Sequence, residues 1–283
     1  VSFLPLAPLF GIRSAQGHLF SDEAFTHGAI HQPRLRVVNW NIAKNNHDPA
    51  WQAEIHSLSH HYQPDLLCLQ EVRLNLQDPA YLPLTGMGWQ LAPNFVRSQQ
   101  AFGVLTASSI RHHRGQPLQT HDHEPLIRTP KAALITEYAL AWSQQTLMLV
   151  NVHGINFVRS RKFQAQLHQI AAHISHHRGP LILLGDFNTW SGVRMEKLWS
   201  LANRLELQQV EFAPDCHRRI KRFLGSDPLD HVFYRGLAVI AENTRVLPTS
   251  TSDHRPLCVE FCLKESQTQA YAGQKLPFSN IMN

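Results

Sequence analysis

Apolar positions along this chain fall into short blocks bounded by polar residues, and the blocks predict its elements. LRVVNWNIA (35–43) reads as a strand. Asp48-Pro49 then marks a helix start, with Asp as N-cap and Pro at the first helical position. Trp51, Ile55 and Leu58 recur behind it at helical spacing. DLLCLQE (65–71) predicts a buried strand whose last residue, Glu71, emerges into something polar. Residues 74–130 are mixed, with Pro- and His-rich stretches and a strand near Phe102–Thr106. KAALITEYAL (131–140) and TLMLVNVH (146–153) predict a strand pair. Ser160 is placed to cap a helix with the stripe Phe163, Leu167, Ile170 and Ile174. PLILLGDFN (180–188) predicts a strand ending in polar groups, followed by a helix from about Val193 to Leu205. PLDHVFY (228–234), a strand around 238–246, and RPLCVEFCL (255–263) complete the pattern.

Residues 1–33 show no periodicity and read as an irregular arm, and the tail 265–283 is polar. The strands do not alternate regularly with helices. This predicts an α/β layered sandwich, two sheets face to face with helices outside, as one domain over 34–264.

Composition narrows the class. With 43% hydrophobic and 17% charged residues among 283, the chain is foldable and unlike a disordered one. Four cysteines, none in Cys-x-x-Cys, exclude a disulfide scaffold and argue against zinc. No apolar run reaches the roughly 20 residues that span a bilayer. The net charge of +5 suits a partner that carries phosphates. Nineteen His include the runs His60-His61, His112-His113 and His176-His177, which read as exposed polar faces. The apolar start, VSFLPLAPLF, reads as a surface arm, consistent with a cytoplasmic protein. As the remnant of a signal or anchor it would instead point to the periplasm or a membrane. No obligate protein partner is expected.

Acidic, amide and imidazole groups recur where apolar runs end: Asn41, Glu71, His153, Asp186, Asn188, Asp230 and Asp253-His254. A carboxylate at the end of a buried strand is costly to desolvate unless it is paired or ligates a cation. Each of these residues alone suits a cap, an Asx-turn or a satisfied core histidine. Together they mark a site.

The ordered motifs N-W-N (39–41), L-Q-E (69–71), N-V-H-G (151–154), G-D-F-N (185–188), P-L-D-H-V-F (228–233) and S-D-H-R-P (252–256) resemble the endonuclease/exonuclease/phosphatase superfamily. NVHGINF, GDFNTW and LDHVFYRGL resemble its bacterial YafD-like branch. The resemblance implies a four-layer α/β/β/α sandwich of two mainly antiparallel sheets. It also implies an Mg²⁺- or Mn²⁺-dependent phosphodiesterase.

By that resemblance Glu71, with Asn41, binds the metal, and Asp253 binds it directly or through water. Asp186 orients or deprotonates the attacking water, and Asn188 holds the phosphate or the water. His254 donates to a phosphoryl oxygen while Asp230 fixes its tautomer and raises its pKa, and His153 contacts the same phosphate from the other side. The chemistry needs these types, because a phosphodiester is anionic and its transition state gathers charge on the nonbridging oxygens.

HRRIKR (217–222), with Arg218, Arg219, Lys221 and Arg222, either grips a phosphate backbone or forms a solvated loop. Trp190 either stacks on a base or sugar or packs under the following helix. The expected substrate is a phosphodiester, most simply a nucleic acid, and the expected enzyme is a nuclease. The alternatives are a phospholipid or inositol phosphate on the same fold, or a binding protein on a dead enzyme fold.

Overall fold

Side chains along each long strand point alternately to two apolar environments, which builds the molecule in layers. The computed structural model describes residues 12–13, 15–78, 82–125, 128–223 and 225–263. The first ten residues and the tail 265–283 lie outside them.

The chain begins with β1 (Ile12–Arg13), β2 (Phe20–Asp22), β3 (Arg34–Asn41), α1 (Pro49–Tyr62) and β4 (Leu66–Asn75). It continues with β5 (Gly88–Arg97), β6 (Gln100–Ser108), β7 (His112–Gln119), β8 (Ala132–Leu140) and β9 (Ser143–His153). Then follow α2 (Ser160–Ile174), β10 (Leu181–Asp186), α3 (Gly192–Arg204), β11 (Gln208–Gln209) and α4 (Pro214–His217). It closes with β12 (Asp230–Arg235), β13 (Leu237–Val239), β14 (Arg245–Val246) and β15 (Leu257–Leu263).

One sheet runs β1-β5-β6-β4-β3-β15-β13, with β2 on β5 and β14 on β15; the other runs β11-β12-β10-β9-β8-β7. Only the β3–β4 and β9–β10 pairs are parallel among the described residues. In β3, Leu35 and Val37 join one core while Val38 and Trp40 join another. In β10, Ile182 and Leu184 join the first core while Leu181 and Leu183 join a third.

The first core therefore lies between the sheets. The second packs under Trp51, Ile55 and Leu58 of α1. The third packs under Phe163, Leu167 and Ile170 of α2 and Leu198 and Leu201 of α3. The order is helix, sheet, sheet, helix.

Asp48 caps α1 by accepting from the Ala50 N–H at 2.8 Å. Ser160 is instead the first residue of α2, and the cap position is Arg159, whose side chain makes no capping bond.

Several expectations need correction. The arm 1–33 is not wholly irregular, because β1 and β2 extend the first sheet along β5. Segments of two or three residues are too short to leave a period-two signature. Glu71 does not end its strand: β4 continues to Asn75 through a bulge between Leu69 and Val72. The expected strand around 238–246 is two short strands, β13 and β14, separated by a 3₁₀ turn at Ala241–Asn243.

Candidate active site

Strand alternation carries polar groups inward at one end of the sandwich. On β3 the inward series runs Leu35, Val37, Asn39, Asn41. On β9 it runs Leu147, Leu149, Asn151, His153, and on β10 Ile182, Leu184, Asp186. Apolar side chains give way to a layer of amides and then to the acid, amide and imidazole groups. The amide layer ties the sheets together. Gln70 Nε2 donates to Asn39 Oδ1 at 2.8 Å and to Asn151 Oδ1 at 2.7 Å, and Asn151 Nδ2 donates to the Leu105 carbonyl at 2.9 Å. All three amides are buried, so each bond compensates desolvation that would otherwise oppose folding.

Sheet register then sets the site. Asp186 pairs with His153 on one side and Asp230 on the other. Gly185 permits this approach: at φ 144° it lies where L side chains are strained, and a Cβ would stand 1.9 Å from the Val152 carbonyl oxygen. Asp186 Oδ2 accepts from Asn41 Nδ2 and Oδ1 from the Asn188 backbone N–H, each at 2.9 Å. His153 Nε2 lies 3.7 Å from Asp186 Oδ2 and 3.9 Å from Glu71 Oε1. Across the site, His254 Nδ1 meets Asp230 Oδ2 at 2.8 Å. The His254 carbonyl accepts from Trp40 Nε1 at 3.0 Å, and Ser252 Oγ donates to the Asn41 carbonyl at 2.6 Å, which docks the 252–254 loop on β3.

The electrostatics separate the groups. Burial alone would lower the His254 pKa, but Asp230, with Asp186 and Asp253, carries it up to about 10, so it is a cation at neutral pH. Burial raises Asp186 to about 6, helped by the charge of Asp230. Burial would also raise Glu71, but the neighbouring Lys131 and Lys44 ammoniums hold it well below the usual carboxylate range. Burial, with Lys131 second, keeps His153 well below its ordinary range and therefore neutral. One end of the sandwich thus holds an imidazolium, a neutral imidazole, a firmly ionised carboxylate and a carboxylate that titrates near neutrality.

The bulge turns Glu71 to the mouth of the site, with its backbone in the left-handed region at φ 56°. Its Oε2 takes the Lys44 ammonium at 2.5 Å, so this carboxylate already faces a cation. Glu71 and the Asn41 side-chain oxygen Oδ1, which accepts from the Ala43 N–H at 3.0 Å, are hard donors that suit Mg²⁺ or Mn²⁺, ions that keep several waters and need few protein ligands. Among the described residues no group of three or more His, Cys, Asp or Glu is gathered for a metal.

The remaining expected residues sit differently. Asp253 is exposed at the rim and pairs with Lys221 at 2.9 Å, not with Glu71. Asn188, at φ 53°, gives one Nδ2 hydrogen to the Gly154 carbonyl at 2.9 Å, which ties it to the loop after His153 and leaves its second amide hydrogen for a ligand. Arg218 is exposed, Arg219 pairs with Asp215 at 3.8 Å, and Arg222 donates to the Ser226 carbonyl at 2.9 Å. Through Lys221 and Asp253 this basic segment adjoins the His254 side of the site. Trp190 is half-buried, donates from Nε1 to Asn156 Oδ1 at 2.8 Å, and covers the Arg194 guanidinium at 5.3 Å.

Residues outside the sequence expectations also converge here. Lys131, at the head of KAALITEYAL, is nearly buried and lies 3.6 Å from the equally buried Glu124. Arg194 is fully buried, donates from Nε to the Asn188 carbonyl at 2.7 Å, and has a guanidinium 4.0 Å from the Phe163 ring centroid. Nothing in the local pattern of α3 distinguishes Arg194 from a surface arginine. Asn39, Gln70 and Asn151 were visible within N-W-N, L-Q-E and N-V-H-G, two, one and two residues before Asn41, Glu71 and His153. Same-face spacing was their signal for Asn39 and Asn151.

Two sheets back to back, helices outside and a polar end built from strand termini make this a DNase I-like fold. The chain belongs to the Endonuclease/Exonuclease/phosphatase family, whose sequence profile matches residues 38–254, and it is accordingly a hydrolase of the phosphoesterase type. A protein of Erwinia tasmaniensis described as "UPF0294 protein" is 38% identical over 242 residues, 84% of this chain and 85% of that one. An endonuclease/exonuclease/phosphatase structure from Beutenbergia cavernae superposes with a TM-score of 0.62 at 17% identity, covering 82% of this chain and 72% of that one. A D. rerio TDP2 structure complexed with single strand DNA product superposes at 0.53 and 14% identity, covering 81% and 99%.

Proposed function

We propose that this protein is an Mg²⁺- or Mn²⁺-dependent phosphodiesterase that cuts nucleic acid. The observation that carries the reading is the His254–Asp230 pair at 2.8 Å in register with Asp186. It sets a fixed cation beside a carboxylate that is basic near neutral pH. Asp186, oriented by Asn41 and the Asn188 N–H, takes the proton of the attacking water. The water oxygen bonds to phosphorus, the bond to the leaving oxygen breaks, and that oxygen takes a proton from solvent and departs as an alcohol, while Asp186 releases its proton to solvent. His254 donates a hydrogen bond to a nonbridging oxygen throughout, and neutral His153 donates to the same phosphate from the opposite side. Glu71 and Asn41 would hold the metal, which would offset charge developing on the phosphoryl oxygens. Asn188 acts as a positioning residue through Gly154.

The net charge of +5 and the segment Arg218, Arg219, Lys221 and Arg222 beside Asp253 favour a polyanionic substrate over a small phosphoester. The TDP2 relative that holds a single strand DNA product favours the same class.

The test is a side-by-side panel with Mg²⁺ and Mn²⁺. It holds plasmid DNA, an abasic-site duplex, RNA, single-stranded DNA, sphingomyelin and an inositol polyphosphate, with wild type and Asp186→Asn. Cleavage of a nucleic acid by wild type, lost in Asp186→Asn, is the expected result. Turnover of lipid or inositol phosphate alone would overturn the nucleic-acid reading.

A further inference from the structure

Phe157 is an outlier for a large apolar residue. It is 59% exposed, and its backbone lies in the left-handed region at φ 53°, a conformation that disfavours a bulky L residue. It stands four residues beyond His153, at the end of a loop clamped along its length. The Gly154 N–H donates to the Asp186 carbonyl at 2.7 Å, and Ile155 N–H to Gln166 Oε1 at 2.8 Å. The Asn156 N–H donates to Glu124 Oε1 at 2.8 Å, a carboxylate itself 7% exposed. Asn156 Oδ1 then accepts two bonds at 2.8 Å, from the Phe157 N–H and from Trp190 Nε1. Trp190 rests on the guanidinium of the fully buried Arg194. One amide oxygen thus anchors the Phe157 backbone and the Trp190 indole, both tied through the 153–157 loop to Asp186.

A solvent-facing apolar ring on a backbone held this firmly is not explained by packing. Strain that the surroundings over-determine points to a role at the surface. The ring belongs to a site that handles anions, so a ligand able to use it carries both charge and a planar apolar face. We infer that Phe157, with Trp190 behind it, is a stacking platform for the unpaired base next to the scissile phosphate. This rests on the nucleic-acid reading of the site and deepens it: the flanking nucleotide must be unstacked from its neighbours, as in a single strand. A ring face has no hydrogen-bond code, so the platform tolerates any base. Phe157 acts by binding, and the chemistry stays with Asp186 and His254.

The experiment compares wild type, Phe157→Ala and Phe157→Tyr on two phosphodiester chains, oligothymidylate and an oligomer of abasic tetrahydrofuran units. On oligothymidylate, Phe157→Ala is expected to raise KM by about 10- to 100-fold with kcat little changed, and Phe157→Tyr to retain the wild-type value. On the abasic chain all three proteins should agree. Equal KM for Phe157→Ala and wild type on oligothymidylate, or the same loss on both chains, would overturn the platform while leaving the phosphodiesterase reading intact. Failure of wild type to cut either chain while it cuts plasmid DNA or RNA would overturn the platform alone, and failure on all four would remove the nucleic-acid reading with it.

Discussion

Replacing Asp230 with Asn tests the electrostatics of the site directly. The side chains are nearly isosteric, Asp230 is 2% exposed, and its Oδ2 lies 2.8 Å from His254 Nδ1. Its carboxylate is the main reason the His254 pKa stands at about 10 despite burial. Against about 6.5 in an unfolded chain, that elevation corresponds to at most about 5 kcal/mol favouring the folded, protonated state. His254 gains a proton affinity on folding, so this stabilisation is complete below about pH 6.5 and disappears as pH rises through about 10. In Asp230→Asn the elevation is lost and burial holds His254 neutral. The stability gap between wild type and variant should therefore narrow by about 3 kcal/mol between about pH 6 and about pH 9, as read from urea unfolding at each pH. The His254 ring proton resonance should titrate near 10 in wild type and below about 6.5 in the variant. With the imidazolium gone, kcat/KM near pH 8 should drop by about 100- to 10,000-fold. A stability gap that is equal at both pH values, or a wild-type His254 that titrates near 7, would refute the reasoning.

Gly185→Ala should destabilise the fold by about 3 kcal/mol or more, because the new Cβ meets the Val152 carbonyl at 1.9 Å on a φ of 144°; thermal unfolding measures it. Gln70→Leu should cost about 2–4 kcal/mol in urea unfolding, since it strands the buried amide oxygens of Asn39 and Asn151 between the sheets. Lys44→Met removes the ammonium that competes for Glu71 and should tighten Mn²⁺ binding by about 2- to 10-fold, measured by Mn²⁺ paramagnetic resonance; unchanged or weaker binding would show that Lys44 does not compete.

Long apolar strands were legible because their alternation is local. The strand expected at 35–43 is β3, and those at 146–153 and 180–188 lie over β9 and β10. The helix behind Asp48-Pro49 was equally plain, since cap, proline and stripe sit within a dozen residues. β5 and β7 were not. GWQLAPNFVR carries Pro93 and Asn94, and HHRGQPLQ carries Gly115 and Pro117 on an edge strand, so both break the strand signature. Their pairing with β6 and β8 overrides those local preferences.

The site divides along the same line. Glu71, His153, Asp186, Asp230 and His254 stand out in the sequence because polar groups at the ends of apolar runs are conspicuous anywhere. Lys44, Lys131, Glu124 and Arg194 do not, since nothing within a few residues of each separates it from a solvated charge. Sequence alone determined which residue types were available, that the long apolar strands would be buried, and the order of the motifs that mark the family. Tertiary structure alone decided that a bulge aims Glu71, that Asn188 serves the loop, and that Asp253 turns to Lys221. It also brought His254 to 2.8 Å from Asp230, a pairing the motifs had implied only by resemblance. Each of those outcomes depends on a partner tens of residues distant in the chain, and the energy of a charge or a buried amide is set by what surrounds it in space.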